Sequence, residues 1–166
     1  AAASTATTAL WNILRGGAQL RAPDARDLSR RYADLLAENL GQPGFRELLL
    51  VVHDLEVGRD MVFGLLDDPF RKPLFAAATA SSDRRAEAHD LGGVGRDHLV
   101  DVLAASLTLP GLCQPRLVTF STDAYWRGET HRLTDRTSAV GRVLEEVAAA
   151  GAEQVIIVSA AAGPPG

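Results

Sequence analysis

Two side chains near opposite ends of the sequence stand where a fold can put chemistry. Ser4 lies among small residues in A-A-A-S-T-A, just ahead of a helical run. Asp135 lies in L-T-D-R-T, where an extended segment gives way to another helix. A hydroxyl at a helix N-terminus sits where developing negative charge is stabilised, and small neighbours let the backbone turn sharply enough to present it. A carboxylate just beyond the end of a strand sits where open α/β sheets place ligands. On the residues alone each has a plainer reading, because Ser and Asp are both favoured N-caps.

The remaining candidates are weaker. His53 and Asp54 are adjacent, but they are accounted for by ending a strand and bonding the turn after it. His89 and His98 stand apart in the sequence, with no His-x-x-x-His and no acid-rich cluster, so they do not argue for a metal. G-G-V-G at residues 92–95 lacks the Lys-Ser/Thr ending of a phosphate loop and fits no dinucleotide fingerprint. It reads as part of a polar surface loop over 81–95. Ser106 reads as a hydroxyl bonded back into its own helix.

The elements that must position these groups alternate along the chain. Residues 5–15 and 24–40 read as helices, the second started by Pro23-Asp24 and closed by Gly41. E-L-L-L-V-V-H at 47–53 reads as a buried strand, and Met61-Val62-Phe63 begins a second strand in a hairpin-like pair. The two prolines in 66–75 predict a loop, and Leu74 to Thr79 a short buried strand. Helical spacing of Leu99, Val102, Leu103 and Leu107 predicts a helix over 97–109, stopped by Pro110-Gly111. Arg116 to Phe120 reads as a strand, and 121–130 as a polar excursion before the strand that begins at His131. Val140, Val143, Leu144 and Val147 then repeat as the buried face of a helix that ends at Gly151. Val155 to Val158 is an unbroken apolar run, as expected of a parallel strand covered on both faces. The expected fold is a single α/β domain over 1–166: a three-layer α/β/α arrangement with a mostly parallel central sheet.

Composition limits the partners. The 166 residues are 46% hydrophobic and 23% charged, ordinary for a globular chain. A net charge of -4 gives no nucleic-acid footprint. Lys72 is the sole lysine and Cys113 the sole cysteine, so no internal disulfide and no cysteine metal site is expected. No apolar run approaches the ~20 residues of a membrane span. The absence of an initiator Met and the Gly163-Pro164-Pro165-Gly166 end read as a chain cut from something longer.

Four segments in order resemble the patatin-like phospholipase family. V-V-H-D-L-E-V-G-R-D-M-V-F at 51–63 is similar to the family's T-D-L-x-T-G-x-x-V-x-F strand pair. A-A-S-L-T-L-P-G-L-C-Q-P at 104–115 is similar to its A-S-x-A-x-P-x-x-F-x-P segment. L-T-D-R-T at 133–137 falls where the family has a catalytic Asp-Gly-Gly or Asp-Gly-Ala. Gly151-Ala152 and V-I-I-V resemble its G-A-x-x-V-I-V-V. The order carries the likeness more than any single motif does. The resemblance implies a patatin-like fold and a lipid acyl hydrolase, a phospholipase A or esterase. It also implies a Ser-Asp dyad of Ser4 as nucleophile and Asp135 as general base, working through an acyl-enzyme without any cofactor or metal. The implied substrate is a lipid or membrane-surface ester, and the implied location is cytoplasmic or membrane-peripheral.

The chain departs from that pattern in three ways. Both glycines of the family's Gly-x-Ser-x-Gly elbow are alanines here, Ala2 and Ala6, and each added methyl group crowds a tight turn. Arg136 and Thr137 replace the glycines after the aspartate, and Arg136 is placed to weaken Asp135 as a base. The family's glycine-rich oxyanion loop is not in the sequence, so a preceding segment or a partner chain would have to supply it. These departures leave an alternative open: a catalytically degenerate module that binds lipid or a protein partner.

Overall fold

The computed structural model describes residues 47–80, 82–110, 113–136 and 138–157, together with helical residues 30, 31, 34, 35, 38 and 39. Ser4, Ala2, Ala6, Thr137, the predicted helix over 5–15 and most of the one over 24–40 lie outside the described residues.

Strand β1 (Leu48–Asp54) and strand β2 (Arg59–Leu65) form the expected antiparallel hairpin. Its four-residue turn ends at Gly58, whose φ of 66° is cheap only without a Cβ. Helix α1 (Asp68–Ala80), helix α2 (Ser82–Glu87) and the short strand β3 (Ala88–Asp90) follow. Helix α3 (Arg96–Ser106) leads to strands β4 (Arg116–Thr119) and β5 (Thr130–Asp135), and helix α4 (Val140–Ala149) comes last. None of these helices is long and apolar enough to cross a membrane.

The sheet runs β3-β2-β1-β5-β4. Only β2 and β3 pair in parallel; β1–β2, β1–β5 and β4–β5 are antiparallel. The expectation of a mostly parallel three-layer sandwich is therefore wrong. The reason lies in the connections. The turn between β1 and β2 and the loop between β4 and β5 are short, and a parallel pair needs a crossover of a dozen residues or more. Nor do Val155 to Ile157 supply a further strand: they are irregular, and Ile156 is 81% exposed.

The sheet is strongly curled, into a half-barrel. β3 and β4 are its outermost strands, yet the ring of His89 in β3 lies 4.8 Å from that of Phe120, just past β4. Trp126 closes the same gap by donating its indole N–H to the Ala86 carbonyl at 2.8 Å. Inside the curl lies the main core, Val52, Met61, Phe63, Val118 and Leu133, closed by Val102 and Ala105 of α3. On the other side of the sheet Val51 and Val62 meet Ala139.

Two predicted elements change type. The stretch read as a loop and a short strand is α1, despite Pro69 and Pro73. Pro69 sits in the first turn, where its missing N–H costs nothing. Pro73 forfeits one helical bond, and the buried Leu74 behind it offsets the loss. Gly64 makes room for this packing: a Cβ there would meet the Phe75 ring at 3.0 Å. The surface loop read over 81–95 contains α2 and β3, with Ala86 and Ala88 buried. Helix α4 occupies the predicted residues, and Val143 of the predicted face packs against Val51 and Val62, but that face is not turned inward as a whole. Val140 is 58% exposed and Leu144 is exposed, while the charged Glu146 is buried.

Candidate functional site

Asp135 ends β5, as the sequence reading placed it. It sits opposite Val52 of β1, and its backbone N–H donates to the Thr108 carbonyl at 2.8 Å. The Thr134 hydroxyl donates to the same carbonyl at 2.7 Å, so this strand end is held from two directions. The Asp135 side chain is half-buried, and no described side chain bonds its carboxylate.

Asp135 does not cap the helix that follows. The N-cap of α4 is Ala139, with no side-chain cap bond. Arg136 is also directed elsewhere than the sequence reading supposed. Its guanidinium donates to Asp60 Oδ1 at 2.8 Å and lies 3.1 Å from His53 Nδ1. His53 Nδ1 is itself 2.8 Å from that Asp60 oxygen. His53, Asp60 and Arg136 thus form one cluster across β1, β2 and the end of β5, and it engages the cation adjacent to Asp135 in sequence.

At the other end of β5 lies a feature that no spacing in the sequence announced. Asp54 bonds His131 and not its neighbour His53. Oδ2 of Asp54 is 2.5 Å from Nδ1 of His131, and Oδ1 accepts the Glu56 N–H at 2.8 Å. Both residues are buried, and 77 positions separate them in sequence. An imidazole oriented by a buried carboxylate is half of a catalytic triad. Among the described residues His131 Nε2 faces the carboxylate of Glu129 at 3.4 Å, not a hydroxyl or thiol. The pair packs edge-on against Phe120 and Trp126 with ring centroids 5.1 and 4.7 Å away.

The two outer edges of the sheet frame a cleft of about 620 Å³. His89, Phe120, Phe63, His98, Ser121 and Tyr125 are among the residues that line it. His89 Nε2 lies 3.2 Å from the Ala86 carbonyl. A carbonyl only accepts, so Nε2 carries the proton and Nδ1 presents a lone pair. Burial pushes the His89 imidazole down to about 4, against a small upward pull from that carbonyl. Burial lowers His98 as well. Asp90 on the rim is tied to Arg71 and to the Gly92 N–H, and Asp123 accepts the Ser121 hydroxyl. That last bond is the largest cause holding the Asp123 carboxyl below its usual range, which makes it a poor base. The Ser121–Asp123 contact therefore reads as a loop clasp. Among the described residues no group of three or more His, Cys, Asp or Glu could hold a metal.

The shift of His89 has a consequence for stability. The folded ring titrates near 4, an unfolded one near ~6.5. Between those values the unfolded chain binds more protons, so stability rises with pH through the window and falls as pH drops from ~6.5. The ring is partly open to the cleft, so the loss between pH 7 and pH 5 is expected to be roughly 1–2 kcal/mol. Urea unfolding at the two pH values, in the parent and in His89→Phe, checks it. A parent that loses no more than the variant contradicts it.

Comparison with protein-family models, curated proteins and solved structures found no match for this chain.

Proposed function

We propose that the chain is a lipid acyl hydrolase, a serine esterase or phospholipase A of the kind its four ordered segments resemble. Ser4 would be the nucleophile and Asp135 the base. The sheet differs from the one that resemblance implies, so the reading rests on residues and not on topology. The observation that carries it is the state of Asp135. Its backbone is fixed at a strand end, its carboxylate is uncommitted among the described residues, and the neighbouring Arg136 is engaged by Asp60.

The chemistry follows from those roles. Asp135 takes the Ser4 hydroxyl proton as Oγ attacks the ester carbonyl. The tetrahedral adduct collapses to an acyl-serine, and the departing alkoxide takes the proton from Asp135. Water then attacks the acyl-serine, giving its proton to Asp135, and the serine oxygen leaves with that proton as the fatty acid is released. A membrane-surface ester is the substrate class.

Hydrolysis of p-nitrophenyl butyrate and of dispersed phosphatidylcholine by the full-length protein tests the proposal. Ser4→Ala and Asp135→Asn are each expected to lower kcat/KM by ~100-fold or more, with the melting temperature unchanged. Full activity in Asp135→Asn would overturn it. No turnover together with retained vesicle binding would replace it with the non-catalytic lipid-binding reading, which Ala2, Ala6 and Arg136 in place of glycines favour.

A further inference from the structure

We propose that the cleft between the two edges of the half-barrel binds a small neutral polyol or sugar ring. Asp135 is not among the residues that line it, so the proposal stands whether or not the ester chemistry does. A volume of about 620 Å³ lies within the range of small-ligand pockets, and the mouth of a curled sheet is a usual place for one.

The lining selects the ligand class. Its most specific group is His89, whose ring packs against those of Phe63 and Phe120, with centroids 5.1 and 4.8 Å away. Its Nε2 is used by the Ala86 carbonyl. Every fully buried side-chain nitrogen or oxygen among the described residues has a partner. His89 Nδ1 has none there, so it is open to the cleft, as an acceptor in a neutral ring. An acceptor of fixed direction asks for an O–H or N–H donor.

Charge in the cleft is balanced. Asp90 is neutralised by Arg71, and the other two charged residues of the lining, Asp123 and Arg85, are of opposite sign. That balance favours neither an anion nor a cation. Tyr125, 46% exposed and held edge-on against Trp126, offers an aromatic face to the same space. The C–H face of a sugar ring fits such a platform, while its hydroxyls donate to His89 and accept from Tyr125. Free sugar and a sugar headgroup on lipid share this chemistry.

The test uses the full-length protein with methyl α-D-glucopyranoside, methyl β-D-galactopyranoside and myo-inositol as free probes. Vesicles of phosphatidylcholine with and without a monoglycosyl lipid form the second arm. Heteronuclear NMR is expected to show millimolar binding of at least one free probe, with shifts at Gly92, Gly93 and Tyr125. His89→Phe, which keeps the ring stack and removes the acceptor, is expected to weaken that binding at least tenfold. If that variant does not fold, the exposed Tyr125→Ala serves in its place, with the same expected loss. Binding to glycolipid vesicles alone, lost in the same variant, places the sugar on a lipid and supports the proposal. No binding in either arm, unchanged binding in the variants, or shifts only with inorganic phosphate or ethanolamine overturns it.

Discussion

Asp54→Ala is expected to destabilise the protein by about 3–5 kcal/mol, more than the lost packing of the carboxylate alone would cost. The Asp54 side chain is 0% exposed and answers two donors, the Glu56 N–H and His131 Nδ1. Its removal strands both. The imidazole is itself buried, between Phe120 and Trp126, so water cannot replace the lost acceptor. His131→Phe does the converse: it leaves a carboxylate in the core with a single N–H for company, at a similar cost. The informative measurement is the double variant Asp54→Leu/His131→Phe. Exchanging both partners of a buried polar pair for apolar groups is often close to neutral. The double variant should therefore be more stable than either single one, as read by urea unfolding with Trp126 fluorescence. Single effects that simply add would mean that the two residues act through their volumes and not through their bond.

The pair also shows where sequence reasoning stops. β1 and β2 were legible because L-L-L-V-V is long enough and apolar enough to be a central strand, and because Gly58 marks a tight turn. α3 was legible from the spacing of Leu99, Val102 and Leu103. So was the return from β4 to β5. Strand direction was not, because an apolar run reads alike in a parallel strand and in an antiparallel strand at the centre of a sheet. β1 is apolar on both faces because β2 and β5 flank it while Val52 and Val51 meet different cores. The prolines of α1 were read as breakers when one is harmless in a first turn and the other is offset by packing. Asp135 could be placed at a strand end from its neighbours alone. The convergence of His89, His131 and Asp54 could not. It depends on curling that brings β3 to β4, and no local pattern encodes which outer strands will meet.

Helix α4 is the case in which local pattern and tertiary contact point opposite ways, and it yields the second large effect. Periodicity favours burying Val140 and Leu144, yet Glu146 lies inside with its side chain 4% exposed. Arg84 of α2 grips both of its oxygens, and Arg142 donates to Oε1 at 2.6 Å. Arg142 reaches on to Glu87 at 2.8 Å, so the helix is fastened to α2 by alternating charges. Burial pushes the Glu146 carboxyl up, but the bonds from Arg84 and Arg142 outweigh it and hold the group below the ordinary carboxylate range. A carboxyl held low stabilises the fold above its unfolded pKa and loses that contribution as pH falls through the folded value. Glu146→Ala is expected to cost about 3–5 kcal/mol at pH 7, because two guanidinium groups lose the anion between them. Glu146→Gln keeps the shape and two polar atoms and should cost less. Both penalties should shrink as pH falls through the ordinary carboxylate range towards the lower folded value, where the parent's own carboxyl protonates. Urea unfolding at pH 7 and at pH 3.5 measures this. An alanine variant as stable as the parent at pH 7 would mean that the apolar stripe of α4 can rotate inward and replace the ion pairs, so that the register seen here is one of two close in energy.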